Sequence, residues 1–262
     1  MNPTLRTSAS GMQAQQTMID VIANNLANVN TTGFKRSRAA FEDVLYQTIQ
    51  GPRVANAAGG GAVEAIQIGK GTRLAAIPRI HSQGAAEGTG RSLDLAIDGE
   101  GFFQVERPDG TIAYTRDGSF GLSADGEVVT HGGYRVLPGI TVPPESGTLT
   151  VASSGVITVQ QGTAGESIEI GRIEIARFVN PSGLLNLGEN LLAETEASGR
   201  PVTGFAQDAG FGRVLQGTLE ASNVEIVQEM VDMIAAQRAY EINARAMSAG
   251  EEMMRVTNEI LR

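Results

Sequence analysis

From Leu5, steps of seven residues land on Met12, Ile19 and Leu26, while the companion column Ser8, Gln15, Ile22 and Val29 turns apolar only in its second half. Apolar positions at this period form one face of a helix. Residues 3 to about 30 are therefore predicted helical, with Asn2 and Pro3 as cap and first position and Gly33 as the stop. From Leu219, the same step gives Ile226, Met233, Tyr240, Met247, Met254 and Leu261, all apolar, and Val227, Met230, Val231 and Ile234 widen the stripe. A seven-residue repeat sustained this long predicts a coiled-coil-like helix, not an isolated surface helix. Gly250 interrupts it at a cost of ~1 kcal/mol relative to Ala, which marks a place to bend or fray.

Between these ends the pattern changes. Short β-prone runs alternate with the turn pairs Asp109–Gly110, Asp117–Gly118, Asp125–Gly126 and Gly132–Gly133, and the texture continues to about residue 215. Successive hairpins of an antiparallel β domain read this way. Residues 47–72 are rich in Gly and Ala without clear periodicity and read as an extended connector. The chain is thus predicted to be α+β. A helix (1–34) and a second helix (216–262) pair as a coiled-coil-like segment, flanking a connector (35–72) and a central antiparallel β-rich domain (73–215).

Charge sharpens the picture at the first helix. Between residues 4 and 30 only Arg6 and Asp20 are charged, yet Gln13, Gln15, Gln16, Asn24, Asn25, Asn28 and Asn30 are present. A water-facing helix carries charges on its outer face, and a lipid-facing one excludes such amides. A helix surrounded by other helices can use them as matched donors and acceptors. The amides are therefore expected to face other helices.

Composition removes several classes. The formal charge of −9 gives no basic field for nucleic acid. Without cysteine there is neither a disulfide framework nor a thiolate metal site. The first residues lack the apolar region of a cleaved secretory signal, and no run reaches the ~20 apolar residues that span a bilayer.

Candidate chemistry is thin. His81 and His131 have no partners at a metal-ligand spacing and read as surface or turn histidines. "GKGT" at 69–72 has Glu64 where a phosphate loop needs glycine, and "DGEGFF" at 98–103 runs into a strand where a dinucleotide fingerprint needs a helix. Asp94, Asp98, Glu100, Asp109, Asp117 and Asp125 fit hairpin turns better than calcium or a catalytic pair. An Asp/Glu hydrolase requires those carboxylates to converge in a cleft. A β-rich glycan-binding module with oligomerising helical ends requires an aromatic platform, but the chain has no Trp and four Tyr.

The stretch "SGMQAQQTMIDVIANNLANVNTTGFKRSRAAFEDVLYQT" at 10–48 resembles the N-terminal motif of the bacterial flagellar rod and hook proteins. "GEGFFQV" at 99–105, "YTRDGSF" at 114–120, "NPSGLLNLGENLL" at 180–192 and "LEASNVEIVQEMVDMIAAQRAYEINARAM" at 219–247 resemble its later motifs, in order over nearly the whole chain. "FEDVLYQTIQ" and "IQIGKGTR" are most similar to the distal-rod members, and the length lacks room for a hook protein's additional outer domain. Departures are small: Gly250, and a loose "AAGGGAVEA" at 57–65.

The resemblance implies a non-enzymatic structural subunit with no cofactor and no small-molecule substrate. It implies a helical homopolymer that forms the drive shaft between motor and hook around an export channel. The subunit would reach the periplasm-spanning rod through the flagellar type III export apparatus. Implied partners are other copies of the chain, proximal rod proteins, hook protein, the surrounding P and L ring proteins and a rod cap protein. The expected assembly interface comprises Leu5, Met12, Ile19, Ile22, Asn24, Asn25, Leu26 and Asn28 on the first helix. On the second it comprises Ile226, Met230, Met233, Ile234, Tyr240 and Met247. The connector is similar to a segment held to stiffen the rod.

Overall fold

The computed structural model describes residues 3–50, 53–54, 62–63, 65–143, 146–161 and 166–260. Asn2 as a cap, Leu261 as the last seam position and most of the Gly/Ala-rich stretch 57–65 lie outside them. Along the chain α1 (Pro3–Ala27) is followed by β1 (Ala40–Asp43), β2 (Tyr46–Gln50), β3 (Arg53–Val54), β4 (Ala62–Val63), β5 (Ile66–Gly69) and β6 (Thr72–Ala76). Then come β7 (Ala86–Gly88), β8 (Leu95–Asp98), β9 (Phe102–Glu106), β10 (Ile112–Thr115), β11 (Phe120–Leu122), β12 (Val128–Thr130) and β13 (Arg135–Val136). The last strands are β14 (Ser146–Val151), β15 (Val156–Gln161), β16 (Glu166–Arg172), β17 (Glu174–Arg177), β18 (Leu185–Gly188), β19 (Leu191–Ala193), β20 (Val202–Phe205), β21 (Arg213–Gln216) and β22 (Thr218–Glu220). Helix α2 (Ile226–Ile260) ends the described chain.

The chain forms two compact units, one holding the residues up to Leu26, Ser37–Pro78 and those from Ile226 onward, the other Ala27–Arg36 and Arg79–Glu225. In the first, the expected connector is a regular element. Strands β1, β2 and β3 pair antiparallel with β6, β5 and β4, so the chain runs out and returns as one two-stranded ribbon. Paired runs of Ile, Leu and Tyr escaped the periodicity reading because Gly and Ala dilute the alternation. The ribbon extends to Ala76, past the expected boundary at 72.

In the second unit β9 is the pivot of a nine-stranded sheet, pairing with β10, β13 and β17. Its alternation sends Phe103 and Val105 into the main core and Phe102 into a smaller cluster with Tyr114, Phe178 and Leu192. A three-stranded sheet, β14–β15–β16, adds Leu149, Val151, Ile157 and Val159 to the main core. Three of the four turn pairs join paired strands, with positive φ at Gly110, Gly126 and Gly133; Asp117–Gly118 does not, since β10 and β11 are not paired, and the Asp117 carboxylate accepts from Thr32 and Ser119 instead.

Two expectations about α2 need correction. Leu219 is not its first turn but part of β22, which pairs with β7, so the helix begins at Ile226. Gly250 does not end it: the helix continues to Ile260, and Gly250 is buried.

Candidate functional site

The first unit pairs α1 and α2 antiparallel. Asn25 Nδ2 lies 3.2 Å from Glu229 Oε2, and a Cβ on Gly11 would sit 3.0 Å from the Asn243 side chain. These contacts are fourteen residues apart on each helix, so the register is kept. The residues that α1 buries are Ser8, Ala14, Ile22 and Asn25; those that α2 buries are Glu229, Ala236 and Gly250. Glu229, Ala236, Asn243 and Gly250 are themselves spaced by seven. The two contacts across the helix seam thus join small and polar side chains, with Ile22 the one large apolar residue that α1 buries.

The large apolar column predicted to form that seam lies beside it. Leu5, Met12, Ile19 and Leu26 on α1, and Met233 and Met247 on α2, are half-buried, and of the predicted apolar residues only Ile22 is fully buried. Ile226, Met230, Ile234 and Tyr240 are exposed, with Val227 at 77% and Val231 at 55%. From Glu251 to Ile260 every residue of α2 is exposed. A soluble helix that hides its small residues and shows its large ones has an unfilled hydrophobic face.

The amides divide differently from expectation. Asn25 is 1% exposed, donates to Ser37 O and Glu229, and accepts from Ser37 N–H. Its partners are inside the chain, not across a subunit boundary. Asn28 accepts from the Thr31 hydroxyl in the turn that follows α1. Asn24 is exposed. The physical logic of matched amides holds at Asn25, but the match is intramolecular.

Ser10 ties the ribbon's base to α1 by accepting from Thr72 N–H at 3.3 Å. Along the ribbon Leu45, Tyr46, Ile49, Ile66 and Ile68 are exposed, a second row of apolar side chains without cover.

The β-rich unit holds the segments that lead out of it by a buried polar cluster. Gly33 has φ +66, and a Cβ there would lie 2.6 Å from Asp117 N, so "TTGFK" is threaded where only glycine fits. Thr32 donates to Asp117 and its carbonyl accepts from Asn190. Lys35, 3% exposed, forms a buried ion pair with Glu220 and donates to Ser82 O. Glu220 also accepts from Arg116 and from Gly84 N–H. Burial pushes Lys35 below its ordinary pKa, against the pull of Glu220. Asn223 accepts from Arg36 N–H and donates to Ile80 and Ser82. Residues 32–36, 80–84 and 220–223 are thereby cross-tied.

Among the described residues the candidate carboxylates do not converge. Asp98 pairs with Arg213, Glu100 with Arg177, Asp94 with Thr89, and Asp109 with Thr111; the carboxylates are scattered. No acidic, histidine or cysteine cluster among the described residues could hold a metal. His131 is the turn histidine expected, bonded through Nδ1 to Ser119 O. His81 is not: its ring nitrogens are buried, and burial plus Lys35, Arg79 and Arg116 lower its pKa to about 4.

Comparison with known proteins agrees with this geometry. Residues 5–35 match the family described as flagella basal body rod protein, 96–159 the flagellar hook protein FlgE/F/G D1 domain, and 215–260 the flagellar basal body rod FlgEFG protein C-terminal. The chain is 48% identical to the flagellar basal-body rod protein FlgG of Borreliella burgdorferi over all of both chains. It is 45% identical to that of Agrobacterium fabrum over 98% of this chain and 99% of the other. Identity to the flagellar basal-body rod protein FlgF of Caulobacter vibrioides is lower, 36% over 96% of each chain.

Proposed function

This chain belongs to the FlgG family of flagellar basal-body rod proteins, and from that premise we propose that its helix pair assembles into a helical homopolymer. It is a structural subunit of the distal rod. The polymer serves as the drive shaft from motor to hook and encloses the export channel, with contacts of the heterologous, head-to-tail kind that build open helices.

The observation that carries this reading is the sorting of side chains on the helix pair. Across the helix pair Asn25 meets Glu229 and Gly11 meets Asn243, and α1 buries Ser8, Ala14, Ile22 and Asn25, leaving Leu5, Met12, Ile19 and Leu26 half-covered and Ile226, Met230, Ile234 and Tyr240 open. Those two sets, with Met233 and Met247, are the surface offered to other copies. At ~25 cal/mol per Å² of apolar surface removed from water, covering them in a polymer supplies the drive for assembly. The exposed ribbon adds a second contact and stiffens the shaft.

Further partners follow from a place in the rod: proximal rod proteins below, hook protein above, P and L ring proteins around, and a rod cap protein at the growing end. The subunit reaches that place through the flagellar type III export apparatus. No helix among the described residues is long and apolar enough to cross a membrane.

Electron microscopy of basal bodies from cells lacking the protein tests the proposal. Rods truncated before the distal segment, without hooks, are expected; intact rods bearing hooks reject it.

A further inference from the structure

Methionine is distributed along the chain in a pattern that assembly alone does not require. The eight methionines stand at 1, 12, 18, 230, 233, 247, 253 and 254, and none falls between 19 and 229. Without cysteine, all the sulfur of the chain therefore lies outside the β-rich unit, and sulfur is the first target of a peroxide. Exposure divides these residues. Met230, Met253 and Met254 are exposed at 51%, 58% and 38%, while Met12, Met18, Met233 and Met247 are half-buried. Oxidation follows solvent access, so the first three are attacked first.

The three differ in what surrounds them. On a helix, the neighbours of a side chain are those three and four places away. For Met230 these are Ile226, Val227, Met233 and Ile234, and none carries a polar hydrogen. Ile226, Val227 and Ile234 are exposed with it, on the face assigned to assembly. Met253 and Met254 have Thr257 as a neighbour, Met254 also has Glu251 and Asn258, and every residue from 251 to 260 is exposed. An added oxygen at Met253 or Met254 thus meets polar groups and water. At Met230 it meets an apolar surface that a neighbouring copy would cover.

We propose that Met230 is a reversible modification site, at which oxidation by a peroxide keeps a subunit out of the polymer. The inference rests on the assembly proposed above. In the step, the sulfur lone pair attacks one peroxide oxygen, the O–O bond breaks, an S–O bond forms and water leaves. The sulfur is oxidised by two electrons and the peroxide is reduced. The return takes two thiols, acting through a sulfoxide reductase; they leave as a disulfide and the oxygen leaves as water. The sulfoxide oxygen is a strong acceptor, and covering it among Ile226, Val227 and Ile234 leaves it unmatched. Because Met230 is exposed in the single chain, the free subunit keeps its fold through the change.

The test needs only the full-length wild-type chain. Dilute protein is treated with hydrogen peroxide until thioether and sulfoxide coexist at Met230, Met253 and Met254. It is then polymerised and sedimented, and fragment-ion mass spectrometry reads the sulfoxide at each position in pellet and supernatant. Met230 sulfoxide is expected to be depleted from the pellet at least about tenfold, with the sulfoxides of Met253 and Met254 shared evenly. Reduction of the supernatant by a methionine sulfoxide reductase with dithiothreitol, followed by concentration to the starting level, should return the protein to the pellet. Met230 sulfoxide shared evenly between the fractions, equal depletion at all three positions, or a supernatant that stays soluble after reduction would each overturn the proposal. Untreated protein that forms no sediment would instead overturn the assembly reading, and this inference with it.

Discussion

Gly33 and Asp117 meet backbone to backbone: a methyl group on the first would lie 2.6 Å from the amide nitrogen of the second. Because φ at Gly33 is also +66, Gly33→Ala combines left-handed strain with a clash that backbone cannot relieve. A loss of about 3 kcal/mol or more is expected from chemical unfolding of the β-rich unit.

Glu220 holds two cations in the interior, and removing its charge leaves Lys35 and Arg116 facing each other. Glu220→Gln should therefore destabilise by about 3–5 kcal/mol. Lys35→Met should cost less, since Arg116 and Gly84 still satisfy the carboxylate. Urea midpoints of the two variants order the effects.

His81 supplies a pH dependence with a definite sign. Its folded pKa, about 4, lies below the unfolded value of 6.5, so the unfolded chain takes up the proton first. Stability from this residue is complete above pH 6.5, falls as pH drops towards 4, and levels off below it. The total is at most about 3 kcal/mol. His81→Gln should flatten the difference in urea midpoint between pH 7 and pH 4.5 relative to wild type, and an equal slope in both proteins contradicts the assignment.

Val227 and Val231 are exposed on the face assigned to assembly. Val227→Asp places an anion near the start of α2, which the helix dipole favours, so monomer stability should change by no more than about 0.5 kcal/mol. Polymerisation measured by sedimentation, and motility in cells, should nevertheless be lost.

In dilute monomer, α1 is anchored mainly around Ile22 and Asn25. Amide exchange should be slow there, and fast near Leu5 and across the exposed end of α2, because a helix with little to bury is marginal in water. Uniform strong protection from Leu5 to Asn25 would contradict this.

The helices and several of the hairpins were legible because each has a local signature, period seven for the one and Asp-Gly or Gly-Gly turns for the other. What was hidden depends on contacts remote in sequence. Nothing local marks Lys35 as buried until Glu220 is brought beside it, and His81 reads as a surface or turn histidine until Phe102 and Arg116 come beside it. The amide signal at Asn25 was real, but a sequence does not say whether the partner of a buried amide lies in the same chain. The apolar columns likewise mark faces that must be covered without saying by whom, and here the small, polar column took the intrachain role.

The antiparallel pairing of α1 with α2 also sets an order of events. Asn25 and Glu229 are separated by 204 positions, so the first helix to be synthesised is among the last to find its partner. Contacts of such long sequence separation form late, after the intervening strands have closed on themselves. A chain cut short anywhere before Glu229 has no seam at all. In the assembly proposed above, the surface offered to a neighbour is therefore complete only once α2 has been made.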